Sequence, residues 1–303
     1  MSRVAVIVPT WNRAHTLAAS VESLLGQEGV EPQVVVVDDG STDDTPAVLA
    51  RLGEDPRVHV VRGTHQGIAA ARNAGLAAVT DAPYVAFHDS DDLALPGRLA
   101  VPTAYLDAHR EIDLVMMNGR MLPPEDAPHE PEEPWIRPEV ARALASRPIG
   151  VAEVFRWNLG QLQGMCFTRR ALAAVGPLDG SFTILDDLDL VLRVTARFQA
   201  VFLDVPAFAY RRHPGGVARN RERVREESIR LADKLAAGHP EVLEVLGRET
   251  FRRRQARRWA RLARARAKAG DVEGARTAIE RAQRLEPQNV RWRLQALWLR
   301  LRG

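Results

Sequence analysis

The feature that most constrains this chain is a series of short, valine-rich apolar runs that alternate with helical patterns. The runs are brief and rich in β-branched residues, so they predict buried strands at 3–8, 34–37, 58–61 and 84–87. The segments between them predict helices at 14–27, 46–52 and 65–79. Strands that are apolar throughout and separated by helices are typical of a parallel sheet covered on both faces.

A polar cluster follows three of these four predicted strands, at the point where each strand ends. The clusters are Thr10-Trp11-Asn12, Asp38-Asp39-Gly40-Ser41 and Asp89-Ser90-Asp91-Asp92. In open α/β sheets, ligands bind beyond the carboxyl ends of the strands. The sequence therefore predicts one functional site at this rim of the sheet.

Charge and periodicity divide the chain into two parts. Residues 1–218 carry 19 Lys and Arg against 28 Asp and Glu, whereas residues 219–303 carry 23 against 11. The first part continues with predicted helices at 96–109 and 186–197 and strands at 113–117 and 200–205. We expect an α/β domain over residues 1–218 and an Arg-rich, all-α extension over residues 219–303. Residues 270–289 look like part of one tetratricopeptide-type hairpin, which needs a partner for its apolar face.

The composition limits the cellular setting. No apolar run approaches the roughly 18 to 20 residues that cross a bilayer, and the N-terminus has no signal-peptide pattern. The single cysteine, Cys166, cannot form an internal disulfide. These features predict a cytoplasmic protein in which Cys166 is a small core residue.

The acidic cluster at residues 89–92 allows two interpretations. Clustered carboxylates repel one another unless a cation lies among them, and Mg²⁺ or Mn²⁺ binds one or two carboxylates together with phosphate oxygens. The alternative is a solvated turn in which Asp92 caps the next helix. The second cluster is equally open, because Asp38 and Asp39 suit either hydrogen bonds to a nucleoside or an Asx turn before a helix.

Six segments together resemble the inverting family 2 glycosyltransferases of the GT-A fold. They are VAVIVPTWNR at 4–13, VVVVDDGSTDDT at 34–45, GIAAARNAGL at 67–76, YVAFHDSDDLALPGRL at 84–99, LDDLDLVLRV at 185–194 and YRRHPGG at 210–216. They occur in the family's order and span residues 3–218. The resemblance implies a Rossmann-like, mostly parallel sheet sandwiched by helices.

The resemblance also implies roles for individual residues. Six positions would bind the nucleotide-sugar donor: Pro9, Trp11, Asp39, Arg72, Asp89 and Ser90. Among them, Pro9, Trp11 and Asp39 would line the nucleobase pocket and Asp89 would contact the ribose. Asp91 would bind the Mn²⁺ or Mg²⁺ that bridges the diphosphate, assisted by His213.

The motif makes Asp187 the general base, although the pair here is Asp186-Asp187 rather than the commoner Glu-Asp. On a helix Asp186 and Asp189 share a face while Asp187 points elsewhere, so this assignment comes from the motif and not from geometry. The implied reaction transfers a hexose from a nucleotide-sugar donor to an acceptor hydroxyl, with inversion at the anomeric carbon. The resemblance implies UDP as the nucleotide. Carbohydrate, lipid-linked and small-molecule acceptors all remain open.

Three other functions are weighed against this one. A nicotinamide-dependent oxidoreductase requires G-x-G-x-x-G after the first strand, where this chain has Pro9-Thr10-Trp11-Asn12. A nucleotidyltransferase usually carries a basic, glycine-rich loop after its first strand, and this chain has none. A non-catalytic scaffold would use only the helical extension, whereas the acidic motifs of the first part are intact. That extension, with Trp259, Trp292 and Trp298, suits an anionic membrane surface, a homodimer surface or simply a solvated Arg-rich helical bundle. It contains no recognisable nucleic-acid-binding module.

Overall fold

The computed structural model describes residues 1–123, 132–145, 147–211, 221–238 and 240–302. The chain forms two compact units, Met1–Pro214 and Gly215–Gly303. The predicted boundary at residue 218 lies outside the described residues and stays a prediction.

Within the described part of the first unit, nine strands form one sheet. They are β1 (Ser2–Thr10), β2 (Val30–Asp38), β3 (Val58–Arg62), β4 (Tyr84–Phe87), β5 (Leu93–Ala94), β6 (Ile112–Met121), β7 (Glu133–Pro134), β8 (Met165–Thr168) and β9 (Gln199–Tyr210). Their order is β3-β2-β1-β4-β8-β6-β9-β5, and β7 pairs with β6.

The first half of this sheet is parallel and the second half is mixed. β3, β2, β1 and β4 run parallel to one another, whereas β8 lies antiparallel between β4 and β6. β9 returns parallel to β6 and pairs antiparallel with β5. The predicted α/β class is confirmed. The antiparallel strands β5 and β8 were not predicted, because they are only two and four residues long.

Eight helices are described in the first unit. They are α1 (Leu17–Leu25), α2 (Thr45–Leu52), α3 (Ile68–Ala78), α4 (Ala100–Ala108), α5 (Pro138–Ala145), α6 (Val151–Trp157), α7 (Arg169–Val175) and α8 (Asp186–Thr195). Helix α4 begins four residues later than the sequence predicts. The reason is Gly97, whose φ of 82° places it in the left-handed region and outside any helix.

The core of the first unit lies between the valine-rich strands and their helices. Alternate valines of β1 and β2 are fully buried against the apolar face of α1. Cys166 is also buried in this core, as predicted. On the other face, α3 approaches β1 so closely that a Cβ added to Gly75 would lie 2.4 Å from Cγ2 of Ile7. This contact fixes the position of Arg72, which is one helical turn earlier.

The second unit is helical throughout its described residues. Its helices are α9 (Arg221–Gly238), α10 (Pro240–Leu246), α11 (Arg248–Ala269), α12 (Val272–Leu285) and α13 (Val290–Arg302). Its core is built mainly from small alanines of α11 and α12, with Ile279 and Trp292. The chain reverses at Gly270, which has a φ of 86°, and Asp271 caps α12 by accepting a hydrogen bond from the Gly274 amide. In the described parts of both units, the helices are too short or too polar to cross a membrane.

Candidate active site

The loop that follows β1 is tied to the loop that follows β2. Pro9 is buried in β1 opposite Val37, and the chain turns at Asn12 with a φ of 51°. The Asn12 side chain accepts a hydrogen bond from the Thr42 amide at 2.8 Å, while the Asn12 amide donates to Oγ of Ser41 at 2.9 Å. These contacts hold the first two predicted polar clusters together at the carboxyl rim of the sheet.

The two carboxylates of the second cluster have different roles. Asp38 accepts a hydrogen bond from the Ser41 amide at 2.9 Å, so its carboxylate stabilises the local turn, as in the structural alternative that the sequence left open. Asp39 is buried, and its two oxygens accept hydrogen bonds from the amides of Gln66 and Gly67 at 2.8 and 2.7 Å. These amides lie at the start of α3, where the helix dipole favours negative charge. Each oxygen of Asp39 retains a lone pair for a ligand.

An exposed aromatic pair lies beside Asp39. Trp11 is 45% exposed, and its ring centroid is 4.5 Å from that of His65. His65 has a φ of 57°, and its Nδ1 is 4.0 Å from a carboxylate oxygen of Asp39. Because His65 contacts one side of the indole, the exposed surface of Trp11 is left for a ligand ring. His65 was not predicted from the sequence, because no motif distinguishes it from an ordinary loop histidine.

A buried arginine links the acidic loop after β4 to helix α8. Arg72 is 4% exposed and donates hydrogen bonds to Asp186 at 2.9 Å and to Asp89 at 3.1 Å. Burial alone would lower the pKa of Arg72, but the charges of Asp186, Asp89 and Asp187 outweigh it and raise that pKa. Arg72 is therefore a fixed cation at the junction of two predicted site segments. Burial is also the largest cause that raises the pKa of Asp89.

The rest of the acidic loop is held by three further contacts. Asp91 is paired with Nε of Arg13 at 3.1 Å, and both side chains are partly exposed. Ser90 is buried, and Asp92 is 1% exposed. Asp92 accepts hydrogen bonds from Nε2 of Gln163 at 3.0 Å and from the Arg211 amide at 2.9 Å.

The interpretation of Asp92 as a helix cap is therefore wrong. Helix α4 begins at Ala100, and the Asp92 carboxylate points into the protein, where burial raises its pKa to about 8. Its bond to the Arg211 amide holds the last described residue before 212–220 next to the acidic loop. His213, the second predicted metal ligand, falls in that stretch and lies outside the described residues.

The three acidic residues at the start of α8 face different surroundings. Asp186 is buried against Arg72, and Asp189 is buried against Arg193 at 2.8 Å. Asp187 is partly exposed and accepts a hydrogen bond from the Leu188 amide. Burial, followed by the charge of Asp186, raises the pKa of Asp187 to about 8. Asp186 and Asp189 are buried in ion pairs, whereas Asp187 is the most exposed of the three and its charge still acts on Arg72.

The carboxylates can hold a cation only together with other ligands. Among the described residues, no group of three or more His, Cys, Asp and Glu side chains is arranged to bind a metal. Asp91 offers a partly exposed carboxylate, and Mg²⁺ or Mn²⁺ is commonly held by one or two carboxylates with phosphate oxygens completing the shell. The donor set therefore fits a metal that enters with a diphosphate.

Known proteins with related sequences match part of this chain. A model of glycosyl transferase family 2 matches residues 5–166. The succinoglycan biosynthesis protein ExoO of Rhizobium meliloti (strain 1021) is 40% identical over 126 residues, which are 39% of this chain and 36% of ExoO. The Escherichia coli protein WfaP, a UDP-Glc:alpha-D-GlcNAc-diphosphoundecaprenol beta-1,3-glucosyltransferase, is 29% identical over 136 residues. These residues are 41% of this chain and 53% of WfaP, so the match spans only about a third to a half of either relative.

Solved structures share the fold. TarS 1–349 from S. aureus superposes with a TM-score of 0.63 at 16% identity, over 94% of this chain and 92% of that chain. The mannosyltransferase PcManGT from Pyrobaculum calidifontis gives a TM-score of 0.63 at 21% identity, over 98% and 84%. TarS has been solved with UDP and with UDP-GlcNAc, and PcManGT with GDP-Man and Mn²⁺. Because the family model covers more than half of this chain, the chain belongs to glycosyl transferase family 2.

Proposed function

We propose that the chain transfers a hexose from a UDP-sugar to an acceptor hydroxyl, with inversion at the anomeric carbon and with the help of Mn²⁺ or Mg²⁺. The observation that carries this proposal is the buried Arg72, which joins the acidic loop after β4 to the acidic start of α8. This arrangement gathers a cation, several carboxylates and the amino end of α3 at one rim. Such a rim suits a charged diphosphate and a reacting hydroxyl.

The donor's nucleoside would bind beside the loop after β1. Trp11 offers a flat surface to the base, and Asp39 offers fixed acceptor oxygens for base N–H groups, with Pro9 forming the floor. Asp89 and Ser90 would lie next to the ribose. UDP as the nucleotide is supported by the TarS complexes with UDP and UDP-GlcNAc.

Asp91 would hold the metal, with His213 as the proposed second protein ligand. When bound, a divalent cation neutralises the charge that develops on the leaving diphosphate. Arg72 supplies a permanent positive charge near the same group, because its pKa is raised and it stays protonated. Arg13 orients Asp91 through their ion pair.

Asp187 would accept the proton of the acceptor hydroxyl while the hydroxyl oxygen attacks the anomeric carbon. The anomeric carbon gains a bond to that oxygen and loses its bond to the diphosphate, which leaves from the opposite side. In-line displacement inverts the configuration. The partly exposed position of Asp187, close enough to Arg72 for their charges to interact, supports this role.

The pH dependence of the reaction should report Asp187. Its pKa is raised to about 8, so the base is protonated below this value and free to accept a proton above it. We expect kcat/KM to rise about tenfold per pH unit up to pH ~8 and then to level off. The measurement is a pH profile of initial rates at low donor concentration. A rate that falls as the pH rises from 6 toward ~8 would contradict Asp187 as the base.

Removing the exposed indole should weaken donor binding. Base–aromatic stacking is worth about 1–3 kcal/mol, so Trp11→Ala should raise the donor KM by about 5- to 150-fold with little change in kcat. Trp157→Ala is a matched control, because Trp157 is 40% exposed in the same unit. Steady-state kinetics with varied donor decide the matter. An unchanged KM in Trp11→Ala would exclude stacking on this residue.

The activity is tested by incubating the full chain with nucleotide sugars, Mn²⁺ and a panel of acceptors. The acceptors include free sugars, oligosaccharides and lipid-linked diphosphate sugars, because WfaP is named for such a lipid acceptor. We expect release of UDP that depends on the acceptor. A parallel incubation with a sugar 1-phosphate and UTP should release no pyrophosphate. Pyrophosphate release without sugar transfer would favour a nucleotidyltransferase instead.

The proposed setting is the cytoplasm, and the similarity to a bacterial protein named for succinoglycan biosynthesis supports a biosynthetic role. The helical unit is proposed to contact either an anionic membrane surface or a second copy of the chain. The charge and the apolar character of its exposed side chains favour one of these two partners over the other.

A further inference from the structure

We infer that the C-terminal helical unit binds anionic phospholipid surfaces through an exposed apolar stripe on helix α13. The stripe contains none of the residues assigned to sugar transfer. Lipid binding by this stripe therefore does not depend on the proposed reaction.

The stripe consists of large apolar side chains on one face of α13. Val290, Leu294, Leu297 and Trp298 are 62%, 61%, 55% and 46% exposed. Their spacing of four, three and one residues places them within one third of the helix circumference. The opposite face, with Trp292 and Ala296, is buried in the core of the helical unit. Helix α13 is therefore already anchored on one side and apolar on the side that faces solvent.

Positive charge borders this stripe on both sides. Arg291 and Arg293 are exposed, and their helical positions lie on opposite flanks of the four apolar residues. The sequence of α13 contains four arginines and no acidic residue. Apolar residues including tryptophan on one face, with arginine at the border, are the features of helices that lie in a membrane interface.

A second cationic feature of the same unit adds to the positive potential. Arg221, Arg225, Arg261, Arg264 and Lys268 line a groove of about 480 Å³ between α9 and α11. In the part of the chain that the structure describes, no carboxylate lies within 4.0 Å of these five side chains. An excess of unneutralised cations attracts anionic lipid headgroups over about one Debye length.

A lipid surface fits these features better than two other partners. A second copy would bring an identical helix, with four arginines and no acid, against α13, so that like charges would face each other across the contact. A nucleic acid would neutralise the arginines but would leave the leucines exposed to water. An anionic bilayer satisfies both, because it offers phosphate groups to the arginines and acyl chains to the apolar stripe.

The test is sedimentation of the full chain with vesicles. One set contains phosphatidylcholine alone and the other contains phosphatidylcholine with one third phosphatidylglycerol. We expect binding to the anionic set only, weakened when salt is raised from about 0.1 M to about 1 M. The double variant Leu294→Gln/Leu297→Gln should bind at least about tenfold more weakly, because both leucines lose their burial in lipid. Trp157→Gln, which removes an equally large exposed side chain from the first unit, should bind like the wild type.

The variants remain interpretable because the substituted side chains are exposed, and a melting curve of each variant checks that it is folded. Absence of wild-type binding to anionic vesicles would overturn the proposal, as would equal binding by the double variant. Sedimentation equilibrium without lipid provides a further arm. A dimer that dissociates in the double variant, without vesicle binding, would assign the stripe to a second copy. Salt-sensitive binding to a DNA duplex that ignores the leucines, without vesicle binding, would assign the unit to nucleic acid.

Discussion

The variant Asp187→Asn is expected to lower kcat by about 10²- to 10⁴-fold, which is the usual contribution of a positioned general base. The amide cannot accept the proton of the acceptor hydroxyl. Donor affinity should stay within about threefold of the wild type, because Asp187 is assigned to the acceptor side of the reaction. The variant should unfold at the same or a slightly higher temperature. The raised pKa of Asp187 means that the folded protein disfavours its charged form, and asparagine removes that charge.

Asp189→Asn is the matched control for this variant. Asp189 lies on the same helix but is buried in an ion pair with Arg193. Its loss should reduce the melting temperature while leaving kcat near the wild-type value. Steady-state kinetics and thermal melting of both variants separate the two roles. If Asp187→Asn retained most of its kcat, the base would have to be another residue.

Replacing Arg72 should have the largest effect on stability. Arg72→Gln leaves Asp186 and Asp89 without their shared cation, and breaking a buried ion pair typically costs about 3–5 kcal/mol. We expect a loss of this size in the free energy of unfolding at neutral pH, measured by urea titration. Activity should fall as well, because the acidic loop and α8 are no longer tied together. Arg72→Lys keeps the charge but offers one donor group for two carboxylates, so its loss should be intermediate.

Arg13→Gln is the control, because it removes an arginine whose ion pair is partly exposed rather than buried. Its pair with Asp91 is partly exposed, so its removal should cost no more than about 1 kcal/mol. The double variant Arg72→Gln/Asp186→Asn should recover part of the stability lost by Arg72→Gln, since one unpaired carboxylate is removed with the arginine. Equal stability of Arg72→Gln and the wild type would mean that the buried bridge does not hold the site together.

The parts of the fold that the sequence predicted well are those where one physical signal dominates. Short runs rich in β-branched valine favour buried strands over helices, and the parallel arrangement of β1 to β4 follows from the helices between them. The short strands β5 and β8 carry no such signal, because two to four residues cannot establish a period. Their positions depend on contacts with distant strands, such as the pairing of Cys166 with Ala86 and Val115.

The candidate site was predictable where residue type and strand end coincide. Asp89 and Asp91 fall in a cluster that follows a predicted strand, whereas Asp187 lies on a helix and was assigned only from the family motif. Arg13 and His65 were not selected, because their roles depend on partners 78 and 26 residues away along the chain. The role of Asp92 was left open for a related reason. Its partners, Gln163 and Arg211, come from segments whose approach no local pattern reveals.

The central claim is that this rim of the sheet binds a nucleoside diphosphate with a divalent cation. Isothermal titration of UDP into the full chain, with and without Mn²⁺, tests it most directly. We expect binding that requires Mn²⁺ in the wild type and that is lost in Asp91→Ala, whereas Asp187→Asn binds UDP normally. Failure of the wild type to bind any nucleoside diphosphate, or equal Mn²⁺-dependent binding by Asp91→Ala, would contradict the account.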